Sequence, residues 1–255
     1  MKRLPLLFPL VLLFLGCATP PKAQLPADNA VNYLISFPGP GGLVFMGASG
    51  PQLKPEMEIE AAREDAARKV SMYHGVQARY SSVQSSGTNA LSYYSDSNLQ
   101  MQYDEVLDPY KEKLTYNPER DVMYGHGTVF VRFTYPGNFP VNITYKSSLG
   151  SDGKPAWIKH PPVEISGFMA QVGFARRHQR IRDAVAKASE DAVTQLISRS
   201  SSRLRTSDST TNDQNTTFVS QRSRGSLQYF MILETWIDPK DLSVWILTIA
   251  KDVIQ

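Results

Sequence analysis

One cysteine, Cys17, stands in the whole 255-residue chain. That excludes an intramolecular disulfide and any zinc site built on several thiolates. A chain of this size must then rely on its buried apolar cores. A dominant charge is missing too. Lys and Arg number 27 against 24 Asp and Glu, and setting aside Lys2 and Arg3 leaves 25 against 24. No concentrated basic footprint follows from the basic pI, so nucleic acid is not an expected partner. No apolar run reaches the roughly 20 residues of a membrane span. The recognisable catalytic signatures are also absent. There is no GxSxG, no Walker loop, no HExxH, and no GxGxxG followed by an acid. The four histidines, His74, His126, His160 and His178, include no ligand-spaced pair. No catalytic, cofactor-binding or metal-ligating residue is assigned, and the expectation is a protein that is not an enzyme and holds no cofactor. What is present is ordinary globular composition, 42% hydrophobic and 20% charged, which argues against wholesale disorder.

The N-terminus reads as an address. Lys2 and Arg3 precede an apolar run, residues 4–15, interrupted by Pro5 and Pro9. That length suits a signal-peptide core, and two prolines do not suit a buried helix interior. Gly16 and Cys17 follow at once. Phe14-Leu15-Gly16-Cys17 resembles the bacterial lipobox, with Phe14 where Leu is commonest. The resemblance implies cleavage before Cys17 and lipidation of Cys17, anchoring the chain to a membrane. Two acyl chains would hold it stably, where one binds only marginally. Ala18, rather than Asp, after Cys17 favours the outer membrane over the inner by the same resemblance. Residues 1–16 are thus a lipoprotein signal peptide. Residues 17–36, with Pro20, Pro21 and Pro26, read as an extended tether.

The body repeats. With an offset of 126 (173 − 47), Gly47 matches Gly173, and Ile59, Ala62 and Val70 match Val185, Ala188 and Leu196. Glu64-Asp65-Ala66 matches Glu190-Asp191-Ala192 under the same offset. Each copy begins with an apolar strand, residues 42–47 or 163–174. A helix follows, with small and apolar residues at spacings of three and four on one face. Pro55 suits the first turn of the first helix, and Gly75 is placed to stop it. Residues 128–133 and 243–249 are strands rich in β-branched and aromatic residues. They are offset by 115 (244 − 129) and each follows a Pro-containing turn. Further strands are expected at residues 100–106 and 226–236. Ser81 to Ser97 and Ser200 to Thr217 are Ser/Thr/Asn-rich in matching places, as loops or extended hairpin arms. The expectation is an α+β fold of two repeated units, residues 37–148 and 160–255. Each would be an antiparallel sheet with one helix packed on a face.

Gly47, then Ala62-Arg63-Glu64-Asp65-Ala66-Ala67, then Val70-Ser71-Met72-Tyr73-His74-Gly75-Val76 resembles the LPP-type membrane-associated bacterial lipoprotein family. That family is in turn similar to the N-terminal domain of the flagellar accessory protein FlgT. Val172-Gly173 and residues 184–192 fit the same pattern. The resemblance implies a fold and an envelope location, and carries over no catalytic residue. The acid pairs Glu64-Asp65 and Glu190-Asp191 read as solvated helix surface, since neighbours on a helix point about 100° apart. Arg176, Arg177, His178, Arg180 and Arg182 form the densest basic run, read as an exposed helix start, with contact to acidic lipid headgroups or peptidoglycan as the alternative. The favoured expectation is a lipid-anchored envelope protein that binds an envelope protein or peptidoglycan. A surface antigen or adhesin, and an envelope hydrolase with an acid/base site assembled by the fold, are the alternatives.

Overall fold

In the computed structural model, residues 31–87, 94–200, 209–210 and 216–253 are described. Cys17 and the predicted signal peptide lie outside them, as does much of the second Ser/Thr-rich stretch. The fold is α+β, with two antiparallel sheets and four helices among the described residues. The chain runs β1 (Tyr33–Ile35), β2 (Leu43–Ser49), α1 (Pro55–His74), β3 (Val76–Gly87) and β4 (Tyr94–Gln102). It continues through α2 (Asp108–Lys111), β5 (Val122–Gly125), β6 (Thr128–Tyr135), α3 (Ala156–Lys159), β7 (Glu164–Ile165) and β8 (Phe168–Ala175). Last come α4 (Ile181–Ser200), β9 (Ser209–Thr210), β10 (Thr216–Ile237) and β11 (Val244–Asp252).

The helices start and stop for local reasons. Pro55 opens α1 with Glu56 and Glu58 at its positive end. The Gly75 N–H donates to the Ser71 carbonyl oxygen and closes the last turn. Gly75 itself is extended, at φ 168°, and leads straight into β3. Its stop therefore does not use the left-handed freedom of glycine. Ala62, Ala66 and Val70 on α1, and Ala184, Ala188 and Ala192 on α4, have no exposed surface.

The larger sheet has the order β4-β3-β10-β11-β8-β7, with β1 and β9 also paired to β10; the smaller is β2-β6-β5. In the smaller sheet Gly47 lies opposite Val131, and in the larger Gly173 lies opposite Ile246. Val131 and Ile246 differ by the same 115 residues (246 − 131) read from the sequence of the last strands. The close contacts recur as well. A Cβ added at Gly47 would meet the Ala62 carbonyl oxygen at 2.0 Å, and one added at Gly173 would meet that of Ala188 at 2.1 Å. Helix and strand backbones touch there, and no side chain fits between them.

Several expectations need adjusting. The two sheets do not divide the chain at residues 148 and 160, because β3 pairs with β10 from Val76↔Leu227 to Gly87↔Thr216. Residues 31–36, counted with the tether, belong to the body. There β1 pairs with β10, and Leu34 and Ser36 are buried. The strand expected at residues 100–106 lies at Tyr94–Gln102. The hairpin partner of β6 is instead β5, a four-residue strand too short to show a period. The apolar run 163–174 is folded back on itself at Ser166 (φ 51°) and Gly167 (φ 83°) to give β7 and β8.

Gly47→Ala or Gly173→Ala should each cost about 3 kcal/mol, the upper part of the overpacking range. Gly75→Ala, with extended backbone and open space around it, should be neutral or slightly stabilising. Urea unfolding followed by circular dichroism checks all three; equal midpoints would refute the close-approach argument.

Candidate functional site

Cys17, the one residue assigned a modification from sequence, lies outside the described residues. The histidines are scattered. His126 (φ 53°) and Gly127 (φ 67°) form the β5–β6 turn, and His126 Nε2 lies 2.9 Å from Asn32 Oδ1. The His74 ring stacks on Tyr110 and abuts Tyr73 and Tyr135. Burial by these rings, then the nearby charge of Lys113, lowers its pKa, so it favours the neutral form. His160 ends α3 and His178 is exposed in the basic run. Among the described residues no group of three His, Cys, Asp or Glu is placed to hold a metal.

The repeated acids divide their work. Glu64 and Glu190 are surface groups beside Arg68 and Lys187. Asp65 and Asp191 turn inward and tie helix to strand, unlike the solvated role expected for both acids of each pair. Asp65 Oδ2 accepts the Ala48 N–H at 2.8 Å, and Asp191 Oδ2 accepts the Phe174 N–H at 2.9 Å. One turn further along, Lys69 Nζ donates to Asp65 and to the Met46 carbonyl oxygen. Gln195 Nε2, at the matching place, donates to Asp191 and to the Val172 carbonyl oxygen. A cation in one half and an amide in the other make the same bridge.

The most site-like cluster was not legible in sequence. Glu234 on β10 is fully buried. Its Oε2 accepts from Trp157 Nε1 at 2.6 Å, from Ser147 Oγ at 3.0 Å and from the Tyr33 hydroxyl. Its Oε1 has no hydrogen-bond partner among the described residues. Burial, then the bond to Glu234, raises the pKa of Tyr33. Burial and the same negative charge push Tyr145 up to about 12. Three separate segments thus converge on one carboxyl group: β1, the connection between β6 and β7, and β10. A few residues on, Lys154 Nζ from that connection pairs with the buried Asp238 at 2.5 Å. The connection is a strap, fastened at two acids. A lone Glu in a β-rich run carries no sign of this, since its donors lie 77, 87 and 201 residues away.

Two open spaces are near the core. A cavity of about 20 Å³, lined by Leu34, Met46, Lys69, Phe130 and Val185, has room for a single water at most. A shallow cleft of about 490 Å³ lies at the root of β3 and β10, beside Gln77, Gln102, Tyr103 and Gln228. Neither is lined by Glu234. Beyond the cleft, β4, β3 and the first half of β10 form an arm about 30 Å long, nine paired residues from Arg79↔Arg224 to Gly87↔Thr216 at about 3.3 Å each. The outer edge of β4 has no strand partner among the described residues, and neither does the edge of β10 turned away from β3 from Val219 to Gly225. Among the described residues no helix is long and apolar enough to cross a membrane. The protein is of the α+β class, with a buried acidic bracket and a projecting three-stranded arm. Comparison with family models, curated proteins and solved structures gives no match.

Trp157→Phe removes one charge-assisted bond to Glu234 while keeping ring bulk, and should cost about 2 kcal/mol; an unchanged urea midpoint would show that the strap does not depend on it. The Lys154 pair makes stability pH-dependent in a stated direction. The Lys154 hydrogen bond, outweighing burial, holds Asp238 below its ordinary 3.8. A carboxyl group whose folded pKa is depressed stabilises the fold above the ordinary value and loses that contribution as pH falls through the folded one. Lys154→Met should lower stability at pH 6 and flatten the acid-side decline between about pH 4 and pH 2, measured by urea unfolding across that window.

Proposed function

We propose that this chain is a bacterial envelope lipoprotein, held by lipid on Cys17 to a membrane, the outer rather than the inner one. Its body performs no chemistry and binds another envelope component, a protein or peptidoglycan. The observation that carries this reading is Gly16-Cys17 directly behind a basic pair and a short proline-interrupted apolar run. The resemblance of the Gly47 to Val76 segment to the LPP-type lipoproteins supports it. So does the order of the chain, in which a Pro-containing polar stretch separates Cys17 from the first strand.

The arm is the surface we assign to the partner. Unpaired edges of β4 and β10 offer backbone donors and acceptors to an added strand. Their Ser-, Thr- and Gln-rich sequences suit a polar contact better than a self-burying one.

Mass spectrometry of the purified N-terminus, wild type beside Cys17→Ala, tests the anchor. Acyl mass on Cys17 and release of the Cys17→Ala chain into the soluble fraction are expected. A free thiol at Cys17 in a soluble wild-type chain would sink the reading. For the partner, photo-crosslinkers at the exposed Gln102 and Arg224 in intact envelopes should give one shared adduct, absent with the crosslinker at the distant Lys240.

A further inference from the structure

We infer that the pole of the body opposite the arm is a membrane-facing surface that contacts anionic lipid headgroups. This rests on the lipid-anchored reading above and adds an orientation and a ligand class to it.

The sheet registers gather four loops and the chain start at that pole. β2 ends at Ser49 opposite Val129, so the loop after it lies beside the His126-Gly127 turn. β8 ends at Ala175 opposite Val244, so the basic run after it lies beside the β10–β11 turn. Gly50 joins the two loops. A Cβ there would be 3.8 Å from Arg180 Cδ and 3.9 Å from Arg182 Cδ. The chain comes out of the tether at the same place. Val31 packs on Gly125, Asn32 meets His126, and the Asn32 carbonyl oxygen accepts the Ile237 N–H. From Ile237 the single strand β10 runs back to the arm tip, its 22 residues giving a contour of about 70 Å. The start of the body and the arm therefore lie at opposite ends. Cys17 is 14 residues before Val31 (31 − 17), a reach of at most about 50 Å.

The surface at this pole has the chemistry of a lipid contact. Leu53 is 95% exposed, the most of any large apolar side chain among the described residues, and Met57, 47% exposed, follows it four positions on. Lys54 lies between them in sequence, and Arg176, Arg177 and Arg180 are exposed without an ion-pair partner among the described residues. Acidic groups share the pole, two of them in ion pairs and two bonded to backbone N–H groups. Glu58 accepts the Gln52 N–H, Asp183 pairs with Arg182, Asp238 with Lys154, and Asp241 accepts the Ser243 N–H. Glu56 is exposed in the first turn of α1. Outside ion pairs the pole carries Lys54, Arg176, Arg177, Arg180 and Lys240 against Glu56, Glu58 and Asp241, a positive balance that includes three guanidinium groups, whose planar fork matches phosphate oxygens. Leu53 and Met57 would enter the boundary between headgroups and acyl chains, where basic residues alone would only hover. Exposed charges of this kind are screened by salt within about a Debye length, about 8 Å at physiological ionic strength.

The single cysteine makes the test clean. In the acylated full-length mature protein Cys17 has no free thiol, so Leu53→Cys takes an environment-sensitive dye at one place. The labelled chain is reconstituted on phosphatidylcholine vesicles with and without phosphatidylglycerol. A blue shift on the anionic vesicles is expected. It should be lost in R176E/R177E/R180E and at raised salt, while flotation with the vesicles is unchanged. The same dye at Gln102→Cys should stay water-like throughout. A Leu53 probe that remains water-like on anionic vesicles while the chain floats would overturn the proposal. So would a blue shift that survives both the arginine reversals and salt. Failure of the underlying reading looks different: a free Cys17 thiol by mass and no flotation at all, which removes the lipid anchor and this orientation together.

Discussion

Helix and strand backbones in direct contact, at Gly47 with Ala62 and at Gly173 with Ala188, are the constraint on which the rest depends. With no side chain between them, the helices can sit close enough for Asp65 and Asp191 to reach the N–H groups of Ala48 and Phe174. That bond aligns each helix along its strand, and Lys69 and Gln195 then close the gap to the strand carbonyls. A larger residue at any of these positions would push the helix away, and the polar bridges would lose their reach. The apolar stripes of α1 and α4 make contact with the sheets only because the small residues have set this distance.

Once the helices are placed, the sheets follow unequal paths. The smaller sheet closes within one half of the chain, as β2-β6-β5. The strands after α1 leave it and join β10, so the larger sheet holds strands from both halves. The long connection from β6 to β7 then crosses β10 and is fastened at Glu234 and Asp238. A buried carboxyl group with three donors is costly to assemble and costlier to leave half-made. It acts as a specification device, fixing the strap in one position over the sheet.

The result is a molecule with two ends. Turns, the basic run and the start of the body share one, and the arm of β3, β4 and β10 makes the other. The proposed lipid anchor would use such a polarity, since it would hold one end and leave the far end to reach across to something else. The proposed partner surface and the proposed lipid surface are separated by the length of β10, and each can be altered without touching the buried acids between them.

Much of this was legible in sequence where the signal is local. Pro55, the acidic first turn and the spacing of Ala62, Ala66 and Val70 define α1 without any tertiary knowledge. The β-branched runs define β6 and β11, and the 126- and 115-residue offsets read from the sequence recur in the pairing of Gly47 with Val131 and Gly173 with Ile246. The address proposed at Cys17 rests on sequence alone, because a signal peptide is read as an unfolded segment. What only the tertiary structure decided depends on residues far apart in the chain. Which sheet β3 joins, where β5 lies, and why Glu234 can be buried were all invisible, because register and partner choice come from long-range pairing rather than from period. Asp65 and Asp191 are the clearest case. As sequence they are one half of a solvated acid pair, and only the 17-residue return from strand to helix turns them toward a backbone N–H that would otherwise have no partner at that point in the packing.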